Sequence, residues 1–386
     1  DGTTALLVAE TRRVIEAART LEGATGDVAL LGHSMASDIV IRAAMAEPGV
    51  DTVIALSMFS EAVTAQAPQR LLVISGEWET RLREVARSAV QQVKPTAGEG
   101  ETVRAGPVER RATVSPNVEH VGVLFSAHSL RESLAWLNAG FARNGMSTVI
   151  PTGAWILALL LGIVLTFLPV AARLPALPAP QPPGTKRLLL AVALPTLLAP
   201  AIGVVVFQPF LPVLVADYLL LHFALFAAIQ LAVLRRWPLR RGELSWPGLA
   251  LLLIWGLLFI GAALDRYAAS FLPTAERLLV ILALSLATVP FMLADSLVSG
   301  AGSGRWWQRL AARVAILVSL AIAALLRPEE LGFVLLVFPV VVLFFLVHGT
   351  LGRALARRTG AAASGLGLGL ILAWALGVSF PFFATG

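Results

Sequence analysis

The chain of 386 residues contains no cysteine, so disulfide bridges, thiolate nucleophiles and cysteine-ligated zinc are excluded. Charge is scarce too: 14% of residues are Asp, Glu, Lys or Arg, against 57% apolar. With a mean hydropathy of +0.79, most of the chain must face lipid rather than water. Histidine is limited to five residues, so the candidates for an imidazole base are few. No H-E-x-x-H or comparable ligand spacing occurs, and the sequence implies neither a metal nor a cofactor.

The little charge present is unevenly spread. Residues 1–145 carry 14 Lys and Arg against 17 Asp and Glu, whereas 146–386 carry 16 against 7. The first part therefore reads as a water-soluble domain and the second as a membrane domain. Eight apolar stretches follow Met146, centred on 149–171, 187–207, 211–234, 248–270, 276–298, 309–326, 331–350 and 363–383. Each is near the ~20 residues that a membrane-spanning helix needs. A Pro-rich linker, Pro175–Pro183, separates the first two.

Positive residues alternate between the connecting loops. Arg173, Lys186 and Arg187 fall in loop 1–2, Arg235, Arg236, Arg240 and Arg241 in loop 3–4, Arg305, Arg309 and Arg313 at loop 5–6, and Arg353, Arg357 and Arg358 in loop 7–8. These arginines are topology signals rather than a nucleic-acid surface, and they set those loops in the cytoplasm. The soluble domain then lies outside the cytoplasm, with a bacterial inner membrane as the simplest setting. That topology calls for a signal or anchor segment upstream of Asp1.

Within 1–145, helical and strand patterns alternate. Residues 3–22 have helical apolar spacing, and Val28–Leu31 reads as a short buried strand. A helix from Met35 to Ala46, strands at 51–57 and 70–75, a helix at 79–93 and a strand at 110–115 follow. A closing helix, Ser129–Phe141, has Ser129 as expected N-cap and Glu132 as its capping-box partner. The alternation predicts a parallel sheet with helices on both faces.

One stretch organises this domain. The Val28–Leu31 strand runs into Gly32-His33-Ser34-Met35-Ala36 and then a helix, a G-x-S-x-small motif at a strand-to-helix turn. Small residues at 32 and 36 permit a turn sharp enough to present Ser34 at the top of the sheet. An activated serine needs a base, and the base needs a carboxylate to fix its tautomer. Both types occur just past later strands: Gly76-Glu77-Trp78-Glu79 after the third, and Glu119-His120 after the fourth.

This Ser–Glu–His order along one sheet edge resembles the C-terminal half of an α/β-hydrolase fold, over residues 1–145. The resemblance implies Ser34 as nucleophile, His120 as general base, Glu79 as the acid with Glu77 as its rival, and the Met35 N–H as an oxyanion donor. It leaves His128 as a fallback base and His33 as a packing or substrate-facing residue. In that fold, the first strands and a second oxyanion donor precede the motif. Residues 58–69 are too short for a separate cap domain.

The expected function is hydrolysis of an acyl ester, thioester or amide, with lipid-like substrates suggested by the neighbouring membrane. The alternative is a transporter-like or scaffold membrane protein whose hydrolase-like domain is not catalytic. Ionisable residues at membrane depth carry that alternative: Asp217 and His222 in the third stretch, Asp265 and Arg266 in the fourth, Asp295 in the fifth and His348 in the seventh.

Overall fold

The computed structural model of the protein describes residues 2–145, 148–177, 182–211, 213, 215–235 and 244–379. Two compact units divide the chain, Asp1–Gly153 and Ala154–Thr385. Met146, the middle of the Pro175–Pro183 stretch, and Arg236, Arg240 and Arg241 lie outside the described residues.

The first unit holds five strands: β1 (Ala29–His33), β2 (Thr52–Leu56), β3 (Arg70–Gly76), β4 (Thr102–Ala105) and β5 (Val108–Ser115). Its helices are α1 (Gly2–Arg19), α2 (Met35–Ala46), α3 (Thr80–Gln91) and α4 (Ala127–Gly140). The sheet order is β1-β2-β3-β5-β4. The first four of these pair in parallel, with His33, Leu56, Ile74 and Thr113 in register across the sheet. The turns after these strands therefore emerge at one edge, which is where ligands bind in parallel sheets.

The sheet is mixed rather than wholly parallel. β4 joins β5 antiparallel through a tight turn at Gly106, whose φ of +57° suits glycine. The sequence pattern predicts no strand over 102–105, because Glu101, Arg104 and Glu109 make the hairpin polar. Edge strands are often charged in this way.

Period-two alternation explains the two faces. Val53, Ala55, Leu71 and Val73 pack with Ile41 and Ala44 of α2 and Ala86 and Val90 of α3. Their neighbours Ile54, Leu56, Leu72 and Ile74 pack on the other side against Trp136 of α4 and against Val123 in the short turn before it. Each such fully buried aliphatic side chain contributes about 1.5–3 kcal/mol.

The closing helix starts earlier than expected. Its N-cap is Ser126, whose Oγ accepts from His128 N at 3.2 Å. Ser129 is buried inside the first turn, and Glu132 bonds Arg111 across 2.9 Å rather than completing a capping box. The capping-box pattern competed here with a nearby arginine, and the charged pair won. Arg110 of β5 is wholly buried and donates to the carbonyls of Thr64, Ala67 and Ala89, fixing the 58–69 connection. Burial pushes its guanidinium down to about 10, so it stays charged at neutral pH.

The second unit is helical. Eight helices among the described residues are long and apolar enough to cross a membrane: α5 (Thr152–Ala171), α6 (Thr185–Val206), α7 (Ala216–Leu234), α8 (Trp246–Tyr267), α9 (Ala275–Val298), α10 (Trp306–Leu326), α11 (Pro328–Thr359) and α12 (Ala361–Ser379). The protein is thus a multi-pass membrane protein. Most of α12 is buried among the others, whereas α5 is almost wholly exposed. The seventh span runs on past its apolar core, so Arg353, Arg357 and Arg358 lie on α11 rather than in a loop.

Candidate functional site

Ser34 sits between the end of β1 and the first residue of α2, with φ 55° and ψ −125°. A non-glycine residue at positive φ is strained by about 1–3 kcal/mol and persists only where neighbours hold it. Here the Ser34 N–H donates to Leu56 O at 2.9 Å. Its carbonyl accepts from both Ser37 N at 2.9 Å and Ser37 Oγ at 2.5 Å. The Ser37 hydroxyl also accepts from Phe59 N at 2.9 Å and is fully buried, so it braces the turn and cannot meet a substrate. Gly32 allows the tight return: a Cβ there would lie 2.5 Å from Ala36 O and 2.7 Å from Val40 Cγ2.

His120 stands in the connection after β5. Its Nε2 lies 2.8 Å from Ser34 Oγ, and its Nδ1 lies 2.5 Å from Glu79 Oε1. A carboxylate can only accept, so Nδ1 carries the hydrogen and Nε2 is left to accept from the serine. Glu79 is itself fixed: its Oε2 accepts from Gly76 N at 2.6 Å and from Ser57 Oγ at 2.7 Å. The carboxylate is 6% exposed and the imidazole 42%, so the chain of hydrogen bonds leads from a buried anion to an accessible hydroxyl.

The other expected candidates are engaged elsewhere. Glu77 Oε2 accepts from Asn117 N at 2.7 Å, which fixes the neighbouring loop and leaves the imidazole to Glu79. Glu119 accepts from Val121 N at 2.6 Å and Gly122 N at 2.8 Å, capping the short turn beside His120. His128 Nε2 meets Thr113 Oγ1 at 3.2 Å. His33 Nε2 donates to the His120 carbonyl at 2.7 Å, and the two rings lie 4.8 Å apart. Burial lowers the His33 pKa and keeps it neutral, so it is a brace for the His120 backbone. The Met35 N–H, first in α2, faces no hydrogen-bond acceptor among the described residues.

Ser57 escaped sequence reading. It follows β2 directly, at positive φ (49°), in the same relation to its strand as Ser34 to β1. That parallel position is the signal that could have found it.

In the helical unit the ionisable residues are consumed differently. The Asp217 carboxylate accepts from Phe210 N at 3.0 Å and Tyr218 N at 2.8 Å, capping a helix start. His222 lies between Tyr218 OH at 3.2 Å and Ser319 Oγ at 3.0 Å, joining α7 to α10. Asp265 accepts from Phe271 N and Leu272 N and so holds the turn after α8. Buried His348 approaches Gly256 O at 3.4 Å. Comparison with protein-family models, curated proteins and solved structures finds no match to this chain.

Proposed function

We propose that the first unit is an α/β-hydrolase-type serine hydrolase that transfers an acyl group to water through Ser34. The observation that carries this reading is the unbroken chain Ser34 Oγ–His120–Glu79, at 2.8 and 2.5 Å, on a serine held at positive φ. Ser34 Oγ attacks the carbonyl carbon of an ester, thioester or amide while its proton passes to His120 Nε2. Glu79 holds the imidazole in the required tautomer and balances the imidazolium. The Met35 N–H donates to the oxyanion. Collapse of the tetrahedral intermediate expels the leaving group, which takes the proton from Nε2. Water then adds to the acyl-serine with His120 again as base, releasing the acid and restoring Ser34.

The rim of this site supports a lipid-like substrate. Met35, Phe59, Trp78, Val121 and Phe125, each within a few residues of a site element, are between 48% and 65% exposed. Exposed apolar side chains next in sequence to the polar site residues suit an acyl chain beside its carbonyl. The alternating positive loops favour an extracytoplasmic site on a bacterial inner membrane. The transporter alternative has weaker support, because Asp217 is spent on backbone N–H groups.

Fluorophosphonate labelling of membranes containing the full-length protein tests the proposal. Labelling of the native protein that disappears in Ser34→Ala and His120→Ala is expected. An unlabelled native protein would sink the enzyme reading.

A further inference from the structure

Among the described residues, one end of the helical bundle gathers arginines that form no ion pair with a carboxylate within 4.0 Å. Arg309 and Arg313, four residues apart on one face of α10, line a cleft of about 440 Å³ together with Arg353 of α11. Arg357, one turn further along α11, is close enough to Arg309 and Arg353 for all of these charges to repel one another. The remaining walls are apolar, with Leu310 and Val314 on one side and Val342, Phe345 and Leu346 on the other.

The guanidinium groups are held without a salt bridge: Arg309 donates to Gly304 O, and Asp295 acts on Arg313 only at longer range. That of Arg313 lies 4.9 Å from the centroid of the Phe345 ring. The Nε atoms of Arg313 and Arg353 are buried and lack a hydrogen-bond partner. Asp295 lines the polar recess that adjoins the cleft, yet it forms no ion pair within 4.0 Å of any of these arginines. A Cβ on Gly349 would sit 3.4 Å from Arg313 Nη2, so the glycine leaves the charged head room on the cleft side.

Topology signalling alone does not require this arrangement. Arginines that only orient a span extend their heads into water and need not converge. Here they converge from two helices on one concavity, with buried donors left over. Guanidinium is the side chain that matches a phosphate in planar, two-donor fashion, and a charge at this depth is costly unless paired.

We propose that this cleft binds a phosphate group, and that its source is the headgroup of an anionic phospholipid whose acyl chain lies along the Leu310, Val314, Val342 and Leu346 wall. A soluble phosphate would use the same guanidinium groups without the apolar wall. The site is independent of Ser34 and its partners.

The test uses the full-length protein in nanodiscs of phosphatidylcholine doped with phosphatidylglycerol, followed by native mass spectrometry of the lipids retained on release. Preferential retention of phosphatidylglycerol is expected in the native protein. It should fall about fivefold for each arginine removed in Arg313→Gln and Arg353→Gln, the effect of one charge near an anionic lipid surface. Arg266→Gln, at the other end of the bundle, should retain the preference. Arg353→Lys, which keeps charge but loses the two-donor fork, covers the case in which a glutamine variant does not fold. A thermal shift of the detergent-purified protein with inorganic phosphate separates the sources. Stabilisation without lipid preference would sustain the phosphate site and overturn the lipid as its ligand. Equal retention of both lipids with no phosphate effect, or a preference untouched by both glutamine variants, would overturn the proposal.

Discussion

Each unit contains a histidine whose two ring nitrogens are both engaged, and the contrast between them separates a candidate base from a structural link. His120 has a buried carboxylate on Nδ1 and a serine on Nε2, and much of its ring reaches solvent. His222 has a hydroxyl on each side, Tyr218 and Ser319, and no exposed surface. A carboxylate stabilises the protonated ring and so permits proton transfer, whereas neutral hydroxyls in a dry interior only tie helices together. The serines differ as well. Ser34 is bent out of the helix that follows it, while Ser319 sits inside regular α10. Residue types alone would not distinguish the two clusters. Access, backbone strain and the presence of an anion do.

Mutations can break that contrast most directly at the serines. Ser34→Ala is expected to lower turnover of a model ester by about 10⁶-fold, the loss seen when a unit of this kind loses its nucleophile. Ser319→Ala should leave the fluorophosphonate labelling rate within about twofold, since Ser319 and Ser34 share no hydrogen-bond partner among the described residues and sites without shared partners act independently. Slower labelling in Ser319→Ala would join the two clusters and overturn the distinction. Next in size is Glu79→Gln, which leaves the geometry but removes the anion, with an expected loss of about 10⁴-fold in turnover. Glu77→Gln is expected to stay near native turnover, because an amide oxygen still accepts from Asn117 N. The reverse ranking would reassign the acid.

Stability measurements sharpen the comparison at smaller scale. Gly32→Ala drives a methyl against the Ala36 carbonyl and should cost about 2 kcal/mol, read as a lowered melting temperature of the first unit with labelling reduced. Ser319→Ala removes one hydrogen bond to His222 and should cost about 1 kcal/mol in the helical unit alone. The smallest effect is one of pH. The His33 pKa is lowered by burial from 6.5, so below that value the unfolded chain binds a proton that the folded chain resists. Stability of the first unit should therefore be complete above about pH 6.5 and decline as pH falls below it, and His33→Gln should flatten that dependence. An unchanged pH profile would remove His33 from the bracing role.

The strand-to-helix turn at Ser34 was legible in the sequence because its requirements are local: a strand, Gly32, Ser34, a small residue and a helix within ten positions. The partners were less so. Glu77 and Glu79 lie one and three residues past the end of β3, and only the path of the turn decides between them, sending one to Asn117 and the other to His120. Ser57 was invisible because its role depends on register with β1 and β3, which no spacing encodes. The eight spans were plain from apolar run length, but their ends were not. Arginine marks a boundary in a hydropathy reading, whereas α11 continues as helix through Arg353 and Arg357. The cleft that Arg353 enters together with Arg309 and Arg313 belongs to two helices at once and has no linear signature.

The glycines of α12 carry a consequence for how the membrane unit is made. A Cβ at Gly365 would lie 2.7 Å from Leu293 Cα, and one at Gly369 would lie 2.5 Å from Val289 Cα, so α12 meets α9 backbone to backbone. Thr288 Oγ1 adds a hydrogen bond to Gly369 O at 2.8 Å. The ribosome, however, delivers α12 after α8, α9 and α11, the spans it chiefly packs against. Until it arrives, the α9 groove shaped for glycine has only lipid to fill it. The α9–α12 seam can therefore close only once residues 361–379 have been made, so the tightest packing of the membrane unit is also the last to form.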